Sequence, residues 1–328
     1  MSVSYVYLHS ISRVLKTKVD RKEIIQNLLS ASSLSEALEI LRREGLLKEE
    51  SNDIAKVEVQ IKRWTVDQIN ELRSYSMIDN TSSSIVRAYY YDLTKDDLKL
   101  IINSIFSGKS IDRWSLLGAE PLISNIADSV PKSLDELVTL LRGSIYADAL
   151  QFALQSSSKD VRSIEDLLDY YFILEISKVI EGMKGEWKTA CNNVLCSERD
   201  YYSLSLAVNQ RMVPDSIVAC KLTQELLKEI TSSDLKELGE IMRRSPYSRR
   251  VDPSSPMSIL SSMRKIARLD ARRGAFQAFT GMPFTPAVVL ALLELMKLNA
   301  EDIISVVNSI NLNLNREVLK KFLSLETV

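Results

Sequence analysis

Glycine and proline are scarce in this chain, with nine and eight in 328 residues. Open α/β sheets need turn-rich connections and phosphate loops need glycine, so the shortage points to long helices joined by short links. Neither G-x-x-x-x-G-K-[ST] nor G-x-G-x-x-G occurs, and Gly182-Met183-Lys184-Gly185 is too short for a phosphate cradle. His9 is the only histidine, which excludes histidine-rich metal sites and leaves any serine or cysteine mechanism dependent on that one residue. The three cysteines, Cys191, Cys196 and Cys220, form no C-x-x-C pair. They read as small buried side chains in a reducing cytosol rather than as a disulfide framework. No apolar run reaches the ~18 residues that would span a bilayer. The longest, Ala287 to Met296, is interrupted by Glu294 and preceded by Pro283 and Pro286. The start, Met1-Ser2-Val3-Ser4-Tyr5, lacks the basic and apolar regions of a signal peptide, so a cytosolic chain is expected. Net charge is −1, which gives no whole-chain attraction for nucleic acid or an anionic membrane.

What the chain does have is apolar material, 45% of residues, with 26% charged, enough for a sizeable core. It also has a repeat. Ser33-Leu34-Ser35-Glu36, Ser133-Leu134-Asp135-Glu136 and Asp234-Leu235-Lys236-Glu237 each place a capping side chain three residues before a glutamate able to reach back to the cap's N–H. Apolar positions continue on one helix face through Ile40-Leu41, Leu140-Leu141 and Ile241-Met242, and each copy then carries an arginine, Arg42, Arg142 or Arg243. The last two copies go on to Tyr146 and Tyr247. A second pattern keeps step: Thr94-Lys95-Asp96-Asp97, Ser197-Glu198-Arg199-Asp200 and Asn299-Ala300-Glu301-Asp302 read as further helix starts. The apolar faces after them are Leu98, Ile101, Ile105; Tyr201, Leu204, Val208; and Ile303, Val306, Ile310. The expectation is an all-α protein of three helical units, 1–110, 111–220 and 221–328. Further amphipathic helices are expected at 8–15, 54–72, 167–180 and from about Ser258, and no alternating strand pattern stands out.

No catalytic, cofactor-binding or metal-binding residue is predicted. Asp96-Asp97 and Glu49-Glu50 are adjacent on helices and do not face one another, so they read as solvated charge. The most distinctive charge pattern is Arg264, Arg268 and Arg272, every fourth residue on one helix face, with Arg243 and Arg244 near in sequence. These five are the candidate partner-binding residues: a docking stripe for an acidic partner, set against a solvated face locally neutralised by Asp270 and other acids.

Several segments resemble a known family, the C subunits of the archaeal-type (A/V-type) rotary ATPases, whose vacuolar relatives are the d subunits. Tyr5-Val6-Tyr7-Leu8 leading to Arg13-Val14 is similar to the family's opening helix. Tyr89-Tyr90-Tyr91-Asp92-Leu93 through Asp97-Leu98 to Ser107-Gly108-Lys109 resembles its D-x-x-N-[LI] helix and the Gly-containing stop, and Asp200-Tyr201-Tyr202-Ser203-Leu204 a second occurrence. Gly281-Met282-Pro283-Phe284 with Leu290-Ala291-Leu292-Leu293, leading to Val318-Leu319-Lys320-Lys321-Phe322-Leu323, resembles its G-x-P-[FL] turn and final repeat. The family's asparagine is Asp97 in the first copy and Ser203 in the second. The resemblance implies three similar all-helical domains around a pseudo-threefold axis, forming a funnel with no active site. It implies partners in the central stalk and the membrane rotor ring, a peripheral place on the cytoplasmic side of the cell membrane, and no small-molecule substrate. Two other classes are distinguishable. A helical adaptor unrelated to rotary ATPases predicts an extended solenoid with a peptide groove. A nucleic-acid binder rests only on the late arginines and predicts salt-sensitive binding.

Overall fold

A computed structural model describes the backbone of residues 3–155, 160–215, 218–281, 285–320 and 322–325, with side chains from residue 6 onward. Met282, Pro283 and Phe284 of the expected turn, Met1, Ser2, Lys321 and the side chain of Tyr5 lie outside the described residues. The described residues are mostly helical and contain no strand. In order they are α1 (Val3–Val19), α2 (Lys22–Ser30), α3 (Leu34–Arg43), α4 (Ile54–Ser76), α5 (Asn80–Ser107), α6 (Pro121–Asp128), α7 (Leu134–Leu140), α8 (Ile145–Leu154), α9 (Val161–Glu181), α10 (Gly185–Asn209), α11 (Gln224–Ser232), α12 (Leu238–Arg243), α13 (Pro256–Thr280), α14 (Pro286–Asn311) and α15 (Arg316–Lys320). One motif recurs along the chain: short helices, then a long helical hairpin, α4–α5, α9–α10 and α13–α14.

Local chemistry explains the element boundaries. Ser33 and Ser133 each accept the N–H three residues on, from Glu36 and Glu136, at 3.2 Å. The glutamates reach back as expected, but to the residue before the cap: Glu36 accepts from Ser32 N and Glu136 from Lys132 N, at 2.7 and 2.8 Å. In the third copy Asp234 caps a single 3₁₀ turn, Leu235–Glu237, before α12 begins. Gly108 ends α5 with φ +67°, a left-handed conformation that a side chain would strain, and its N–H closes on Ser104 O at 2.8 Å.

The second set of expected helix starts is corrected. Thr94, Ser197 and Asn299 lie in the middle of α5, α10 and α14, whose real starts are Asn80, Gly185 and Pro286. Their polar side chains serve tertiary bonds instead of caps, which is why the sequence pattern imitates a start. The apolar faces that follow them are core as expected: Leu98, Ile101, Leu204 and Val306 are fully buried.

Those faces are covered in a cyclic pattern. Helix α6 packs on α5, α11 packs on α10 with Leu227 and Ile230 against Leu204 and Val208, and α2 and α3 pack on α14 with Ile25, Leu28 and Leu38 near Ile303 and Val306. Helix α9 meets α5, α13 meets α10, and α14 meets α1, α4 and α5. The last hairpin therefore returns to the first helices and the circuit of contacts closes, unlike a solenoid whose first and last units stay apart. Two long-range bonds fasten the return: Arg13 donates to Phe279 O at 2.7 Å, and Asn299 donates to Val19 O at 2.5 Å.

The α10–α13 crossing depends on Gly274. A Cβ there would stand 2.2 Å from Asn193 O and 2.9 Å from the Cα of Val194, all rigid backbone. Gly274→Ala is expected to push the helices apart and cost about 1–3 kcal/mol, read as a lower urea midpoint with the helical circular-dichroism signal retained.

Candidate functional site

The second helix of each hairpin carries an aspartate at the same register, Asp97, Asp200 and Asp302, each 1% exposed or less. Each accepts backbone N–H groups from the segment 20–22 residues downstream. Asp97 holds Leu117 N and Gly118 N at 2.6 and 3.1 Å. Asp200 holds Cys220, Lys221 and Leu222, at 2.7 to 3.2 Å. Asp302 accepts from Ser324 N at 3.0 Å and from its hydroxyl at 2.5 Å. A buried carboxylate collecting N–H donors satisfies a loop that would otherwise bury unpaired amides. The tyrosines noted in the sequence join the same scheme. Tyr146 Oη shares a 2.6 Å hydrogen bond with Thr94, and Tyr247 Oη donates to Asp200 at 2.6 Å beside Ser197.

The clamp at Asp200 also corrects the cysteine reading. It draws residues 220–222 onto α10 one turn beyond Cys196, and Cys196 and Cys220 are disulfide-bonded with Cα atoms 5.3 Å apart. An odd count with no C-x-x-C pair argues against a framework but does not bar a single bridge across 24 residues that leaves one cysteine over. Cys191 is the buried free thiol, pushed up to about 12 by burial.

Charge converges where α5, α10 and α14 meet. Lys297 of α14 donates to Glu198 of α10 at 2.7 Å and to Asp92 of α5 at 3.3 Å. Lys95 pairs with Asp92 one turn away and lies 3.4 Å from Asp169 of α9, which also takes Lys99 at 2.6 Å. All four residues of the inner network, Asp92, Lys95, Glu198 and Lys297, are under a tenth exposed. Burial alone would raise the Asp92 carboxyl, but the ammonium groups of Lys297 and Lys95 outweigh it and hold Asp92 well below the carboxylate range. Burial would likewise lower Lys297, yet Asp92 and Glu198 keep it well above its usual value. Such a network gains little net stability over an apolar core, but it ties three helices at one fixed point.

The five arginines separate. Arg272 is 4% exposed and is used inside the fold, donating to Ser324 Oγ and Asn299 Oδ1 at 2.7 Å and facing Asp302. Arg268 is mostly buried against Glu301 and Asp302. The four-residue spacing placed all three on one face, but α14 covers that face from Arg268 onward, so the continuous stripe ends there. Arg264 is exposed at the mouth of a cavity of about 40 Å³ lined by Glu198, Tyr202, Glu294 and Lys297. Arg243 and Arg244 are exposed and pair with Glu240 and Glu229. Sequence reasoning missed the inner network. Its one signal was charge inside an apolar run, Glu294 and Lys297 between Ala287 and Leu298.

The chain is thus an all-helical protein whose repeated hairpins close on an ionic junction. Residues 8–322 match the family described as ATP synthase (C/AC39) subunit, and the chain belongs to this family, that of the C/d subunits of A/V-type ATPases. A search of curated proteins finds no match. No helix of the described residues is long and apolar enough to cross a membrane.

Proposed function

We propose that this chain is a non-catalytic central-stalk subunit of an A-type ATP synthase, a socket that couples the stalk to the membrane rotor ring on the cytoplasmic side. The three units, 1–110, 111–220 and 221–328, would surround a pseudo-threefold axis in a funnel. The observation that carries this reading is the closed circuit of hairpins joined at Asp92, Glu198 and Lys297. Passing torque needs a body that does not shear, and dense helix packing around a fixed junction supplies stiffness. An adaptor that offers a peptide a concave groove would gain nothing from closing its first unit on its last.

Grip on a partner is assigned to Arg243, Arg244 and Arg264, the exposed members of the predicted set. Exposed ion pairs are worth about 0–1 kcal/mol to the fold, so the triple reversal to glutamate should leave stability nearly unchanged while repelling an acidic partner. The test is capture of the tagged chain from membranes solubilised in mild detergent, with partners read by mass spectrometry. Joint recovery of stalk and ring subunits is expected with the native chain, falling about tenfold or more with the reversal. Recovery of neither by the intact native chain refutes the socket, and undiminished recovery by the reversal variant removes the arginines from it.

A further inference from the structure

Glu294 is the one acid of the junction left out of the charge pairing. It lies on α14, one turn before Lys297, and is 1% exposed. The polar bond it makes is to a neutral group: Tyr89 Oη of α5 donates to Glu294 Oε2 at 2.8 Å. Among the described residues no cation lies within ion-pair distance of it, because those nearby are committed elsewhere. Lys297 serves Asp92 and Glu198, Lys95 serves Asp92 and Asp169, and Lys99 serves Asp169. Three lysines thus balance three carboxylates. From α13, Arg268 and Arg272 are taken by Glu301 and Asp302, and Arg264 lies at the exposed mouth. From α1, Arg13 bonds His9 at 3.2 Å and Phe279 O. On α4, Arg73 lies over the Tyr90 ring, while α2, α3 and α15 meet α14 with aliphatic side chains. An ionised Glu294 would add a buried negative charge with no cation in contact, offset only by the longer-range attraction of Lys297 and Arg272.

A second feature stands beside it. Glu198 Oε2 is buried and has no hydrogen-bond partner, and Glu198 and Glu294 both line the cavity of about 40 Å³ with Tyr202. That space accommodates a water molecule, and its rim reaches exposed Arg264. A proton on Glu294 has a donor holding one oxygen, an anionic neighbour and a route to solvent.

We propose that Glu294 is a proton-binding site at the junction of α5, α10 and α14, charge-balanced when protonated and loosened when the proton leaves through the cavity beside Glu198 and Tyr202. This goes beyond the coupling role and does not depend on it. Burial, followed by the charge of Glu198, pushes the Glu294 carboxyl up to about 7. The folded chain therefore binds the proton more tightly than the unfolded chain. The stability it gives is full at and below the ordinary glutamate range, declines as pH rises toward about 7, and is level above.

The test is an infrared titration of the full chain, native and Glu294→Gln, with urea unfolding in parallel. A protonated-carboxyl band that titrates near neutrality and vanishes in Glu294→Gln is expected. Glu198→Gln, which removes the anionic neighbour, should move that midpoint down by about one pH unit or more. Relative to the native chain, the unfolding constant of Glu294→Gln should fall about tenfold or more between about pH 5 and about pH 8. A native chain whose difference from Glu294→Gln shows no such band, or whose stability difference is the same at both pH values, overturns the assignment.

Discussion

Lys297→Met is expected to destabilise the chain by about 3–5 kcal/mol, a large part of the stability of an ordinary domain. The loss does not come from packing, since methionine fills much of the lysine's volume. It comes from Glu198, which loses its 2.7 Å partner while buried, and from Asp92, which keeps only Lys95. The same reasoning gives a control. Adding Glu198→Met removes the orphaned charge, and the double variant should recover most of the loss even though it lacks both ends of the pair. Urea unfolding of the native chain and the two variants measures this. A double variant no more stable than Lys297→Met would show that the stranded Glu198 charge is not the source of the loss.

Asp302→Ala should cost a similar amount, about 3–5 kcal/mol, because it strands the buried Arg272 together with Arg268 and the Ser324 N–H. Its counterparts should cost less. Asp200→Ala frees three N–H groups and the Tyr247 hydroxyl but leaves no buried cation behind. Asp97→Ala frees two N–H groups and strands no cation, and burial pushes the Asp97 carboxyl up against the pull of those N–H groups. The expected order of loss is Asp302, then Asp200, then Asp97, and unfolding midpoints of the three variants decide it. Equal losses would mean that the loops, not the stranded arginines, set the scale.

The helical class and the recurring short-helix signals were legible because capping and 3.6-residue periodicity are local, and Ser33, Ser133 and Asp234 do cap the N–H groups just after them. The same locality misled at Thr94, Ser197 and Asn299. A polar residue followed by an acid looks alike whether it caps a helix or sits in the middle of one and bonds a distant segment of the chain. Arg264, Arg268 and Arg272 show a second limit. Spacing gives the face of a helix but not what covers it, and only the α13–α14 packing divides the exposed arginine from the buried one. The junction was hidden for a third reason. Asp92, Glu198 and Lys297 come from three helices some hundred residues apart, and each alone reads as ordinary surface charge.

The closed circuit has a consequence for how the chain is made. Synthesis delivers α5 and α10 long before α14, so Glu198 waits for its lysine and the apolar faces of α1, α4 and α5 wait for their cover until residues 286–311 leave the ribosome. Early segments with sticky, half-finished surfaces are open to chaperones and to aggregation in that interval. The final hairpin is thus the step that commits the nascent protein, and ribosome-bound chains halted before it should remain protease-sensitive in their first hundred residues while full-length chains do not.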